Sequence, residues 1–334
     1  MRFALKTAPE NTPWEDMLAM WRAADDIELF ESAWSFDHFE PIYGKRSDPC
    51  LEGWTTLAAL AQATERIRVG VLVTGTPYRH PAVLANMAAA VDIVSGGRLE
   101  LGLGAGWFEE EYARHGLRFP PPGERVARLE DYVQVVGGML SGSPYSYAGR
   151  HYSCTEAWCV PGPVQQPRPP IWLGGKGDRM LGVVARVADG WNTVWWNPAV
   201  RTTDADYRAR VAVLERACVA VGRDPATVRR SLGVVALVGR DDADVARRYD
   251  RLAAELPPGS LPGLSAYREG ALVGTPEQVA HRLGEIADLG IEHLVVTPGP
   301  MPFRWSDEWA ESMAEWVLPQ LADSTRQNSL PSGS

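Results

Sequence analysis

The sequence predicts an α/β chain folded as a (β/α)8 TIM barrel, and three observations carry that expectation. One complete strand–helix–strand unit fits between Ile67 and Leu103, within the span of a parallel βαβ element. Units of the same kind recur along the chain, strand alternating with helix. The strand from Ile67 to Val73 is apolar on both faces, as a strand enclosed in a barrel must be.

The elements follow in order. Phe3–Lys6 is a first strand, and Trp14–Asp26 its helix, opened by the N-cap and first-turn signals of Thr12 and Pro13. Ser32–Phe36 is a second strand running into Asp37 and His38, and Trp54–Thr64 the next helix. After the strand at Ile67–Val73, a helix runs from Pro81 to Val94 and stops at Ser95-Gly96-Gly97. Leu99–Leu103 is strand four. Phe108–His115 and Glu124–Leu140 are a short and a long helix parted by a proline-rich turn. Residues 141–170 break the pattern with Tyr145, Tyr147, Tyr152, Trp158 and many Gly and Pro residues; they form an insertion between strands four and five with its own hairpin.

Ile171–Gly174, Gly190–Val194, Leu232–Val238 and Leu294–Thr297 supply strands five to eight. Helices at Asp178–Val187, Thr203–Val221, Asp241–Leu256 and Thr275–Leu289 alternate with them, and Asp307–Leu321 closes the chain. Residues 1–322 thus read as a single barrel domain and 323–334 as a polar, disordered tail.

Composition narrows the function classes. Of 334 residues 45% are hydrophobic, enough for a large core. Net charge is −9 with a pI near 5.3, and Lys6, Lys45 and Lys176 are the only lysines. Nucleic acid and anionic membranes are therefore not expected as partners. Four scattered cysteines, no CxxC, no signal-peptide pattern and no apolar run of about 20 residues point to a cytoplasmic protein without disulfides.

In a barrel of this kind the active site lies where strands end and βα loops begin, which sorts the candidates. Asp37 and His38 follow strand two, and Thr74 to Thr76 follow strand three. Ala105, Gly106 and Trp107 follow strand four, Gly174-Gly175-Lys176-Gly177 strand five, and Trp195, Trp196 and Asn197 strand six. The run Gly102-x-Gly104-x-Gly106-Trp107 is not a dinucleotide fingerprint, because its third glycine is displaced and it opens the fourth βα unit. Gly174–Gly177, read alone, is an ordinary glycine turn. Beside the Gly104–Gly106 turn it reads better as a phosphate cradle at a helix start. Histidine titrates near neutrality, so His38 is the candidate proton carrier, with Asp37 beside it. The other histidines show no ligand spacing, so no metal is expected. Thirteen tryptophans are many; those inside strands fill core, whereas Trp107 at a strand end could stack on a planar ligand.

These motifs, in this order, resemble the luciferase-like monooxygenase superfamily, and within it the oxidoreductases that use coenzyme F420. The matching segments are Trp34-Ser-Phe-Asp-His-Phe39, Ala58–Ile67, Tyr78-Arg-His-Pro81, Asp92–Trp107, Pro170–Gly175 and Ala188–Asn192. The resemblance implies a deazaflavin at the C-terminal ends of the strands. It implies Asp37 and His38 as the catalytic pair and a non-proline cis peptide within Leu72-Val73-Thr74 that supports the ring. Ala105–Trp107 and Gly174–Gly177 fall where the family holds the cofactor's tail and phosphate. It also implies a homodimer that acts on a small-molecule substrate by hydride transfer to or from a C=C, C=N or C–OH group, with an FMN-dependent monooxygenase as the alternative. Sugar-phosphate dehydrogenases of the family carry an acidic residue where this chain has Trp107, and Glu109, Glu110 and Glu111 stand on the helix beyond. A flatter, apolar or aromatic substrate is therefore expected.

Overall fold

A computed structural model describes residues 1–42, 45–194, 203–255, 261–269 and 271–298. Strands β1 (Arg2–Lys6), β2 (Phe30–Ser35), β3 (Arg68–Gly75) and β4 (Leu99–Gly104) are separated by helices α1 (Trp14–Asp26), α2 (Gly53–Gln62) and α3 (Pro81–Val94). Helices α4 (Glu109–Arg114) and α5 (Pro122–Ser141) follow, then an antiparallel hairpin of β5 (Tyr145–Ala148) and β6 (Ser153–Ala157). Next come β7 (Ile171–Gly174), α6 (Asp178–Val187), β8 (Gly190–Val194), α7 (Asp204–Ala220), β9 (Arg229–Val238) and α8 (Asp242–Glu255). The described chain ends with α9 (Leu264–Glu269), β10 (Leu272–Gly274), α10 (Pro276–Asp288) and β11 (His293–Pro298).

Eight parallel strands close in the order β1-β2-β3-β4-β7-β8-β9-β11, with β11 returning to β1 and β8 bonded to β9. The expected barrel is present. Two details were not expected. α9 and β10 lie between strands seven and eight, and β10 pairs with the outer half of β9 (Leu272 opposite Ala236) without entering the closed ring. Three residues are too few to show a strand's alternation. β9 also begins at Arg229, three residues before the apolar run that announces it, because Arg229 and Arg230 pair with Gly190 and Trp191 of β8. The expected helix at 307–321, the tail at 323–334 and Trp195, Trp196 and Asn197 lie outside the described residues.

Strand alternation sorts the apolar residues into two cores. Phe3, Leu5, Val69, Val71 and Leu101 face the helices. Ala4, Trp34, Leu72, Trp172 and Val295 fill the barrel itself, with Trp34 edge-on to Trp172 at 6.3 Å between centroids. Gly190 makes room: a Cβ there would stand 2.2 Å from Cε3 of Trp172.

Beneath the indoles lies a polar layer. Trp34 Nε1 donates to Ser32 Oγ at 3.0 Å, and Ser32 Oγ stands 3.1 Å from His293 Nε2. Trp172 Nε1 donates to Glu100, which also pairs with Arg68. Burial pushes His293 down to about 3, with Arg229 and Arg2 adding to the effect, so its imidazole is neutral at physiological pH. Two buried indoles over this layer plug the barrel. The C-terminal ends of the strands, where barrels of this kind bind their ligands, lie above them.

Candidate active site at the barrel mouth

Past Ser35 the chain leaves the sheet, and Asp37 and His38 turn to different partners. Asp37 is fully buried and both its oxygens accept from Arg79, Nη2 at 3.1 Å and Nη1 closer. Burial raises the Asp37 carboxyl above its ordinary value, and Arg79 offsets part of that rise. Arg79 also donates to Glu52 at 2.9 Å, and Glu52 caps α2 by accepting from the backbone N–H groups of Trp54 and Thr55. Asp37 therefore ties the β2 loop to the turn after β3 and to the start of α2.

His38 faces the mouth. Its Nδ1 lies 2.8 Å from Oε2 of Glu111, and Tyr78 donates its hydroxyl to the same oxygen. The other carboxylate oxygen, Oε1, accepts from the backbone N–H of Phe39 at 2.6 Å and of Glu40 at 3.0 Å. A carboxylate can only accept, so Nδ1 carries a proton toward Glu111, and among the described residues Nε2 has no hydrogen-bond partner. Trp107, Tyr78 and Phe36 meet the imidazole edge-on at 5.4–6.1 Å.

Glu111 is the functional residue that sequence reasoning missed. It does stand on α4, but the helix turns it inward until its side chain is completely buried. Burial disfavours the charged form; the bonds from His38, Tyr78 and Phe39 outweigh it and hold the carboxyl below its ordinary value. The same burial, with Tyr112 and Glu111 close by, raises the Tyr78 phenol, so it remains a protonated donor. The missed signal was the order of the three acidic residues: only the third of a helix that starts at Glu109 faces back over the preceding loop.

Cys50, whose thiol lies 3.5 Å from the His38 carbonyl, is no nucleophile. Burial and four surrounding carboxylates push it up to about 12. Among the described residues no group of three His, Cys, Asp or Glu side chains could hold a metal ion.

The peptide bond between Leu72 and Val73 is cis. Leu72 joins the barrel core, whereas Val73 is half-buried at the mouth. A Cβ on Gly104 would lie 2.6 Å from Val73 Cγ2, and one on Gly174 3.1 Å from Cγ1. The valine thus rules out a side chain at Gly104 and crowds one at Gly174. Thr74 turns outward, where its hydroxyl accepts from Trp54 Nε1 at 2.8 Å. Ala105 packs against the outer core, Gly106 adopts φ +81°, and Trp107 is 59% exposed, stacked on Phe108.

In the Gly174–Gly177 turn, Gly175 (φ +140°) already donates its N–H to the Asn192 carbonyl at 3.2 Å, and its own carbonyl accepts from Trp191. The open donors lie one step on. Gly177 is the N-cap of α6, which has no side-chain cap, and a Cβ at Gly177 would meet nothing within 4 Å. Bare N–H groups at the start of a ten-residue helix, with exposed Lys176 next to them, suit an anion.

The sequence profile of the luciferase-like monooxygenase family matches residues 1–293. The chain belongs to this family. A relative from Mycobacterium kansasii, a phthiodiolone/phenolphthiodiolone dimycocerosates ketoreductase, is 27% identical over 297 residues, covering 76% of this chain and 78% of that one. Proteins of Mycobacterium bovis and Mycobacterium tuberculosis are 32% identical over 175 residues, 52% of this chain; the match spans 58% of their length. Among solved structures, an F420-dependent secondary alcohol dehydrogenase superimposes with a TM-score of 0.79 at 18% identity, over 96% of this chain and 98% of that one. The monooxygenase RslO1 of Streptomyces bottropensis gives 0.76 at 22% identity, over 96% and 99%. At such identities the structural likeness establishes the barrel of this luciferase-like protein and nothing finer. Among the described residues no helix is long and apolar enough to cross a membrane.

The Glu111 site makes a pH-dependent prediction. Its folded pKa lies below the ordinary 4.5, so its stabilisation is present above pH 4.5 and is lost as pH falls through the lower folded value. Glu111→Gln should cost about 1–3 kcal/mol at pH 7, read by urea unfolding. The gap between variant and parent should narrow as the pH drops below 4.5. An equal gap at pH 7 and pH 4 would mean that ionisation of Glu111 adds nothing.

Proposed function

We propose that this luciferase-like protein is an F420-dependent oxidoreductase that transfers a hydride between the deazaflavin and a C=C, C=N or C–OH group of a small apolar or aromatic substrate. The observation that carries the proposal is the buried Glu111–His38 pair, with Nε2 of His38 unpartnered among the described residues. When bound, the cofactor supplies hydride chemistry at its ring carbon. The chain supplies the proton, which hydride transfer to or from a neutral substrate requires at a second atom.

His38 holds or delivers that proton at Nε2, while Glu111, bonded to Nδ1, fixes the tautomer and stabilises the imidazolium. Asp37 acts as a positioning residue, holding the loop that carries His38. The residues fit such a cofactor. Val73, above the cis peptide and seated against Gly104 and Gly174, presents an apolar platform, and Leu72, Thr74, Ala105 and Gly106 fix its height. Trp107 offers a flat exposed face. The uncapped start of α6 at Gly177, with Lys176, would hold a phosphate. The likeness to an F420-dependent alcohol dehydrogenase and to a ketoreductase supports this reading. The alternative, an FMN-dependent monooxygenase, is supported by the family profile and by the likeness to RslO1.

A cofactor titration separates the two. F420 should bind at least ten times more tightly than FMN, about 1.4 kcal/mol or more. Equal affinities, or yellow protein holding FMN as isolated, would favour the monooxygenase.

His38→Asn should bind cofactor nearly normally yet turn over ~10²–10⁴-fold more slowly. Lost affinity with turnover unchanged at saturation would make His38 a cofactor ligand instead.

Gly177→Val has room in the fold, so its stability should change by less than about 1 kcal/mol. Its side chain would stand before the α6 N–H groups, and F420 affinity should fall about tenfold, measured by fluorescence titration. Unchanged affinity in the folded variant would move the phosphate elsewhere.

A further inference from the structure

Lys6 has no place in the chemistry described so far. It is the last residue of β1, two positions beyond Ala4, whose side chain lies in the barrel core with Trp34 and Val295. Leu5 between them faces the helices. Lys6 therefore stands on the inner face at the mouth, one layer above the indole plug. The register of β1 with β11 sets Leu5 opposite Val296, which brings Thr297 beside Lys6; β2 places Trp34 opposite it, four residues before His38.

No hydrogen bond and no ion pair within 4 Å is formed by Lys6 among the described residues. The carboxylates near the mouth are committed elsewhere: Asp37 and Glu52 to Arg79, Glu111 to His38 and Tyr78, Glu40 to Arg114. Glu10, the one carboxylate whose charge reaches Lys6, accepts from the backbone N–H of Ile42. Burial nevertheless pushes the ammonium down to about 8, with Glu10 pulling it partly back. Glu10 offsets only part of the cost of that burial, and a bound oxyanion would offset more of it.

We propose that Lys6 is a specificity-determining residue that takes an anionic oxygen of the substrate, a carboxylate or an enolate-type oxygen, on the inner face of β1 beside the loop that presents His38. This rests on the hydride-transfer reading above and names its substrate class: an apolar or aromatic body bearing an oxyanion. The cation orients that oxygen, leaving the reacting atom toward His38.

Three lysines make the test direct. Reductive methylation with ¹³C-formaldehyde labels Lys6, Lys45 and Lys176, and Lys6→Met assigns the Lys6 resonance. Benzoate, titrated without cofactor, should shift the Lys6 resonance and raise its apparent pKa by about one pH unit, since an opposite charge favours the ammonium. The Lys176 resonance should not move. Benzoate affinity should fall at least tenfold in Lys6→Met and be largely kept in Lys6→Arg, both with native circular dichroism.

A Lys6 resonance that titrates with pH but ignores benzoate would overturn the proposal. So would F420 alone producing the full shift and excluding benzoate, because the anionic oxygen would then belong to the cofactor. The benzoate titration without cofactor does not depend on whether F420 or FMN is preferred, so this proposal and the functional reading fail separately.

Discussion

The barrel mouth depends on one buried carboxylate. Glu111 gathers the backbone of Phe39 and Glu40, the ring of His38 and the hydroxyl of Tyr78 around two oxygens. Three donors come from the loop after β2 and the fourth from the turn after β3, while α4 carries the carboxylate itself. An ionised group so far from water is tolerable only because every lone pair is taken up. The consequence is mechanical as well as chemical. Cys50 bridges Glu10 at the far end of the loop after β2, and at its near end the carboxylate holds the backbone of Phe39 and Glu40. It thereby sets the orientation of the imidazole.

A second ion pair braces the same loop from behind. Arg79 joins Asp37 to Glu52, and Glu52 caps α2. Two neighbours in sequence, Asp37 and His38, are thus held by separate networks that share no atom. Asp37 holds the loop to the scaffold, and His38 is held by Glu111 with its far nitrogen free. Adjacent residues of an extended chain turn to opposite sides, so the Asp-His motif reads as one anchor and one working group. The carboxylate that partners the histidine comes from 73 residues further on.

Much of the fold was legible because the physical signals are local. Alternating strands and helices, the Pro81 start, the Gly97 stop and the capping box at Thr275 all sit within a few residues of what they specify. β10 and the early start of β9 were not legible, since one is too short to show alternation and the other opens on two arginines. The site divided along the same line. His38 was found from its place after a strand, whereas Glu111 and Tyr78 act through contacts that only the closed barrel creates. A second reason for two of the glycines was not legible: Val73 lies against Gly104 and Gly174. Only beyond Gly175, at the helix start, does open space before free N–H groups remain.

The charges at the mouth are arranged by exclusion. A chain of net charge −9 has an electrostatic environment that disfavours anionic ligands at a distance. Within the mouth, each carboxylate named above is consumed by an arginine, a histidine or backbone donors. The indoles below seal the floor, and burial keeps Cys50 protonated. Among the described residues, what the mouth offers a ligand includes the Nε2 of His38, the exposed indole of Trp107 and the ammonium of Lys6. A base, a flat apolar face and a cation on neighbouring strand ends can bind a substrate at two points and act on a third, which a site lined only by acids could not do.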